Sequence, residues 1–231
     1  MSEGITGSAA SALPGEETDP IRQAVVRQRT VPRRHDILRQ SAVPEVAHVL
    51  LSGHTYRYRL LRNGRRQITA ILMPGDMCDL SAVVLGRADY GVASLTACTL
   101  GEIPIERIRG ANEPDPVLYR SLRTHSLRDA SIAREWVSNI GRRSALERIA
   151  HLFCETYTRK SWLGLADEDG YDTCLTQFDL ADVLGLTHVH VNRMLGELRD
   201  RGLIRRERGR MTLLDRAALE ELAGFDPAYL Q

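Results

Sequence analysis

Lysine is almost missing from this chain: Lys160 is the only one, and arginine carries the rest of the 31 basic side chains. That bias names no function. A large net charge is missing too, since 30 acidic residues leave a formal balance of +1. The molecule as a whole is therefore no polycation, and any contact with nucleic acid must rest on where charge is concentrated. Cysteine is scarce and scattered, at Cys78, Cys98, Cys154 and Cys174, with no CxxC pair. A chain of 231 residues needs no disulfide staples, so these read as reduced cytosolic thiols. No apolar run approaches the length of a membrane span. Residues 1–20, rich in Ser, Ala, Gly and acids, lack a basic start followed by an apolar core. They read as a disordered tail rather than a secretory leader, which places the protein in the cytoplasm. No nucleophile motif and no phosphate-cradling glycine loop appears. The histidines at 35, 48, 54, 125, 151, 188 and 190 form no HxH-plus-carboxylate set in the expected strands. His188 and His190, two apart on a helix, point in different directions. An enzyme is not expected, nor any cofactor; a metal-binding or catalytic barrel is the remote alternative.

What is present falls into two patterns. From residue 21 to residue 104, short alternating segments are broken by Gly, Pro and Asn. Residues 46–51 read as a strand ended by Ser52 and Gly53. Residues 55–60 alternate toward Arg62, Asn63 and Gly64, a hairpin turn signal. Residues 67–72 return and stop at Pro74, Gly75 and Asp76. Residues 92–100 and 102–104 complete the series, whose even spacing predicts a small barrel or jelly roll. After Asp115 and Pro116 the period lengthens. Leu118, Leu122, His125, Asp129, Ile132 and Trp136 follow at steps of four and three, a helical stripe running to about Ile140, where Gly141 interrupts. A linking helix with such a stripe pairs with its twin in a dimer, and these six residues are the expected seam. His125 and Asp129 form a polar pair on it, which either fixes register or marks a departure from a strict coiled coil. Residues 144–160 read as a further amphipathic helix, with Leu146, Ile149, Ala150, Phe153 and Tyr157 on one face. Residues 163–171, rich in Gly and acids, read as a loop.

The segment after residue 175 carries the most specific signal. Thr176 is placed to cap a helix, with Asp179 three residues on, and Leu180, Val183 and Leu184 give that helix an apolar face. Gly185 permits a tight turn. Thr187 caps a second helix that carries Val191, Met194, Leu195 and Leu198 inward and ends near Arg201 and Gly202. Helix, glycine turn, helix is the spacing of a helix-turn-helix. His188, His190, Asn192, Arg193 and Arg199 lie off the core face of the second helix, whose N-terminal end would enter a major groove. Arg193 has the planar fork that bonds both acceptors of a guanine. Gln177, Thr187, Val189 and the wing residue Arg208 complete the set of candidate DNA contacts. Residues 203–206 and 210–214, joined around Arg208 and Gly209, read as a β-hairpin wing. A short helix follows from about Asp215. Between His188 and Arg210 arginines outnumber acids, the local charge that phosphate contact needs. The plainer alternative is a helical hairpin in a core with a charged outer edge; cap, glycine, apolar register and basic wing together favour DNA.

Over residues 21–223 the chain resembles the cyclic-AMP receptor / fumarate-nitrate regulator (CRP/FNR) family. The resemblance is most specific in Gly185-Leu186-Thr187 and Val191-Asn192-Arg193-Met194-Leu195, with Pro74-Gly75-Asp76 and Gly101-Glu102-Ile103-Pro104 upstream. It implies an α+β fold: a disordered tail over 1–20 and a double-stranded β-roll (jelly roll) sensor domain of the cyclic-nucleotide-binding kind over 21–114. A dimerisation helix would follow over 115–141 and a winged helix-turn-helix over 142–231. It also implies a homodimer on an inverted repeat of double-stranded DNA and contact with RNA polymerase. Arg193 falls on the family's guanine-reading arginine, Asn192 where one branch has a base-contacting serine, and His188 where another has an arginine. Val189 departs from the glutamate usual at its position, and a valine accepts no hydrogen bond from cytosine.

The same resemblance locates an effector pocket around Gly75, Asp76, Leu80, Arg87 and Thr96, and implies that it is degenerate. Leu80 stands where a ribose-binding glutamate would be, and Arg87 is one step from the phosphate-binding arginine, so cyclic AMP is not expected. An iron–sulfur cluster needs four thiolates, and the N-terminal segment has none. Cys78 near the Gly75-Asp76 turn has no histidine beside it to suggest haem. Cys174, just before the first motif helix, is a candidate redox switch, although nothing basic flanks it in sequence to favour the thiolate. Two modes remain open: a constitutive DNA-binding factor, or a receptor gated by an unidentified small molecule or redox signal.

Overall fold

The computed structural model describes residues 19–110 and 115–231. The tail expected over 1–20 falls outside these residues except at its end. There the Asp19 side chain accepts from the Ile21 amide and caps a short helix, α1 (Pro20–Gln23). Strands β1 (Arg27–Val31), β2 (Asp36–Leu38), β3 (Val46–Ser52), β4 (Thr55–Leu60) and β5 (Arg66–Leu72) follow. Next come helix α2 (Leu80–Leu85), strands β6 (Gly91–Ser94) and β7 (Cys98–Pro104), and helix α3 (Ile105–Arg109). They build two antiparallel sheets, ordered β1-β7-β3 and β2-β6-β4-β5. Val31, Leu50 and Leu100 of the first sheet meet Leu38, Leu72 and Val92 of the second in a buried core, as a roll requires.

The continuous strand expected over 92–100 is split by a turn at 95–97. Both the Leu95 and Thr96 amides donate to the His54 carbonyl. Gly53, at φ +82°, lets the two turns approach, since a Cβ there would collide with the Ala97 carbonyl. The Asn63-Gly64 signal does make the β4–β5 hairpin, with Gly64 at φ +79°.

Helix α4 (Pro116–Arg142) begins where the sequence says, capped by Asp115 with Pro116 in its first turn. Gly141 does not interrupt it. That glycine is exposed, with no neighbour near an added Cβ, and the helix ends only when Arg143 turns extended. The stripe of α4 also does something different from what was expected. Leu118 and Leu122 are buried against Ile21, Val49 and Met77 of the same chain. His125 Nε2 accepts from the Met77 amide at 3.1 Å, Asp129 is held by the Arg57 guanidinium, and Trp136 Nε1 donates to Glu155 at 2.9 Å. Ile132 packs partly buried on the neighbouring core. The stripe is thus the helix's attachment to its own body rather than a free seam, because both sheet and helix α5 supply apolar surface on that side.

Helix α5 (Ala145–Trp162) opens with a Ser144–Glu147 capping box. Strand β8 (Gly170–Asp172), helices α6 (Gln177–Leu184) and α7 (His188–Asp200), strands β9 (Ile204–Glu207) and β10 (Arg210–Leu213) and helix α8 (Arg216–Ala223) complete the C-terminal part, with a 3-10 turn at Pro227–Leu230. The loop expected over 163–171 yields β8, which adds a third strand to the wing in the order β8-β10-β9. Tyr56, Ile68, Ile71 and Leu95 from the outer face of the roll join Trp136, Phe153, Leu184 and Leu198 in one core. The two halves are therefore packed together, with α6 lying on β5.

Under α5, His151 is 1% exposed, stacked on Tyr229 (5.9 Å) and edge-on to Phe225 (5.3 Å). Its Nε2 lies 3.2 Å from a Glu135 carboxylate oxygen, yet too poorly aligned for a hydrogen bond. Burial, aided by the Arg143 charge and opposed by Glu135, lowers its pKa to about 4. The folded protein thus keeps this imidazole neutral, while the unfolded chain protonates it below its ordinary value. Stability from this group is full above about pH 6.5 and is lost as pH falls toward 4, about 2 kcal/mol by pH 5. Urea midpoints measured from pH 7 to pH 5 are expected to fall more steeply for the wild type than for His151→Phe. Equal slopes would remove His151 as the source.

Candidate nucleic-acid interface

Helix α6 starts as its sequence requires. The Asp179 amide donates to Thr176 Oγ1 at 3.2 Å and the Thr176 amide to Asp179 Oδ2 at 2.8 Å, so two free donors are satisfied reciprocally. Gly185, at φ +65°, closes the helix in the left-handed conformation. Thr187 then caps α7 by accepting from the His190 amide at 3.2 Å. Val191, Met194, Leu195 and Leu198 are buried, as expected from their spacing. That register turns His188, Val189, Asn192, Arg193 and Arg199 outward, with His190 half-buried.

The arginines of this segment separate into two groups. Arg206 donates to the Leu175 carbonyl, Arg210 pairs with Asp167 at 2.5 Å, Arg201 is held by Glu197, and Arg199 lies 3.6 Å from Asp200. The first two brace the wing, so the expected basic run is partly internal structure. Arg193, Arg205 and Arg208 have no ion pair or hydrogen bond among the described residues and are exposed. Arg208 sits at the wing tip with φ +47° beside Gly209. A free guanidinium on the outer face of α7 and others on the wing can meet a base edge and flanking phosphates together.

Sequence reasoning missed what holds this unit. Gln177 Nε2 donates to Asn192 Oδ1 at 3.2 Å, tying the two motif helices on their outer side. The Phe178 ring lies 5.1 Å from that of His188. From the roll, Arg34 grips Asp179 with both guanidinium nitrogens at 2.7 and 2.6 Å, and Arg66 holds Asp182 at 2.8 Å. Gln67 Nε2 donates to the Val183 carbonyl at 2.9 Å. The partners are 116 to 145 residues apart, and no local pattern announces them.

The expected effector residues do not converge. Gly75 makes its turn at φ +96°, but Asp76 is pinned by Arg159 at 2.6 Å and by the Met73 amide. Both line a separate cleft beside Trp162. Arg87 is exposed, and Thr96 is engaged with the His54 amide. Of the five, only Leu80 lines the cavity of about 300 Å³ between roll and α4, together with Thr69, Ser81, Tyr90 and Ser126. Arg57, which sequence reasoning passed over, projects there. Its guanidinium donates to the Cys78 carbonyl at 2.9 Å and the Met77 carbonyl at 2.7 Å, and its last nitrogen binds Asp129. Burial opposes its charge, but Asp129 and Tyr90 more than compensate and its pKa is raised. At Cys174 burial pushes the thiol up, more than Lys160 brings it down, so a reactive thiolate is disfavoured. Lys160 is itself buried, its Nζ donating to the Asp172 carbonyl at 2.8 Å and lying over the Tyr171 ring.

Comparison with known proteins agrees with this geometry. Residues 147–222 match the Crp-like helix-turn-helix domain and residues 28–112 the cyclic nucleotide-binding domain. The nitrogen fixation regulation protein FixK of Bradyrhizobium diazoefficiens is 33% identical over 180 residues, 75% of this chain and 72% of that protein. The transcriptional activator protein FnrL of Cereibacter sphaeroides is 31% identical over 171 residues, 72% of this chain and 68% of its own length. The solved structure of FixK2 from Bradyrhizobium japonicum superposes with a TM-score of 0.76 at 23% identity, covering 85% of this chain and 96% of that one, which shows a shared fold. With its roll, long helix and winged helix-turn-helix, the chain belongs to the CRP/FNR family of DNA-binding transcriptional regulators, and it is no enzyme.

Proposed function

We propose that this regulator works in the cytoplasm as a homodimer, laying the two copies of α7 into successive major grooves of an inverted repeat about 34 Å apart, and that from there it contacts RNA polymerase. The observation that carries the DNA reading is Arg193, exposed on α7 with its guanidinium uncommitted among the described residues. Dimerisation rests on the face of α4 turned away from its own roll. Leu127 (64% exposed), Arg134, Val137 (72%) and Gly141 recur there at steps of seven, three and four, with Ala130 at the rim of the cavity beside the roll. Cyclic AMP is not required in this reading, since the buried guanidinium beside the cavity is already neutralised by Asp129. A second reading, gating by an uncharged small molecule, is favoured by that hydroxyl-lined cavity.

Selection of bound sequences from randomised DNA by the purified chain tests the proposal. Wild type is expected to enrich an inverted repeat containing guanine. Arg193→Ala is expected to lose affinity for it on the order of tenfold to a hundredfold per half-site. Enrichment that is unchanged in the variant would reject Arg193 as the reader.

A further inference from the structure

The outer face of α7 offers few groups to a base. Arg193 reads guanine in the proposal above, on which the following rests. Asn192 is exposed, but its carbonyl oxygen accepts from Gln177 at 3.2 Å. A bidentate pair with adenine needs that acceptor and an amide donor, so Gln177 competes for one lone pair of the oxygen and constrains the way it points. His188, at the start of α7, has its ring against Phe178. Val189 remains. It is 66% exposed, one helical turn before Arg193 and three residues before Asn192, on the same face. In a major groove it finds one apolar partner among the four bases, the C5-methyl group of thymine.

We infer that Val189 is a specificity-determining residue that selects thymine at a position next to the guanine read by Arg193, through contact of its methyl groups with the thymine methyl. The discrimination is shape and desolvation, with no hydrogen bond. Cytosine in the same place would present an amino donor to hydrocarbon and leave it unpaired.

The test uses the full chain and the inverted repeat that it selects. Wild type is expected to enrich thymine at one position per half-site beside the guanine. Replacing that thymine by deoxyuridine, which lacks only the methyl group, is expected to weaken binding about fourfold per half-site. In Val189→Glu the preference at that position is expected to shift to cytosine, whose amino group a carboxylate accepts, with the neighbouring guanine retained. Val189→Glu is also expected to be indifferent to deoxyuridine. A selected repeat in which wild type tolerates deoxyuridine, or in which Val189→Glu keeps the same preference at every position, overturns the inference and leaves DNA reading intact. Failure of wild type to enrich any sequence overturns both.

Discussion

Asp179→Ala is expected to cost about 3 kcal/mol of stability, because that carboxylate serves two structures at once. One oxygen satisfies the Thr176 amide and closes the capping box of α6, while both oxygens receive the fork of Arg34. Removing a cap costs about 1 kcal/mol and breaking a buried ion pair about 3–5 kcal/mol. The total stays near the low end because the Arg34 side chain keeps 33% of its exposure and regains water when its partner is lost. Burial alone would raise the Asp179 pKa, yet Arg34 and the Thr176 donors hold it below the usual carboxylate value. Its contribution is therefore present above the ordinary aspartate range and disappears as pH falls through the lowered folded value. Asp179→Asn retains a capping oxygen and loses the charge, so urea unfolding of the two variants separates cap from ion pair. If both match wild type, the roll does not hold α6 through this residue. Arg34 itself sits at φ +63°, a conformation that costs a non-glycine residue energy, which the hydrogen bond from its backbone amide to the Ser94 carbonyl and its grip on Asp179 offset.

The larger effect on binding is expected from Leu127→Glu combined with Val137→Glu. Both side chains are exposed and lie outside the stripe that fastens α4 to its own sheets. Four carboxylates on a two-fold seam would repel one another, and light scattering is expected to give the mass of one chain in place of two. Each recognition helix would then bind its half-site alone. Loss of the tethered second contact lowers affinity for the full repeat by at least about a hundredfold. A variant that remains a dimer and binds as before would move the interface elsewhere. Folding should be intact, since neither side chain touches the buried core.

The helix-turn-helix was legible because its determinants are local. Thr176 with Asp179, Gly185 and Thr187 each act within one turn of chain, and the apolar positions between them have room for only one register. The β4–β5 hairpin was legible from Asn63-Gly64 for the same reason. The stripe on α4 was seen correctly as apolar and assigned to the wrong partner. Periodicity reports that a face is buried, and it is silent on whether a sheet of the same chain or a second chain covers it. The exposed face proposed for a second copy is poor in hydrocarbon, with Ala130 and Arg134 between Leu127 and Val137 and Gly141 beyond, so it gave little signal. Glycine misled at 141, where an open helical position was read as a stop. The effector pocket was placed by resemblance and dispersed in space. Arg57, whose contacts span 20 to 72 residues, has nothing in its neighbours to mark it as the side chain that fills that region.

The burial of Lys160 has a chemical consequence for a protein otherwise basic through arginine. Its ammonium group is committed to the Asp172 carbonyl and capped by the Tyr171 ring, and the residue is 5% exposed. Acylation by acetyl donors requires a free, solvated amine, and none exists on α7 or the wing. The arginine charge on this surface stays at any physiological pH, because guanidinium groups do not deprotonate there. Amine-directed labels and immobilisation chemistry meet no side-chain target on the groove-facing side.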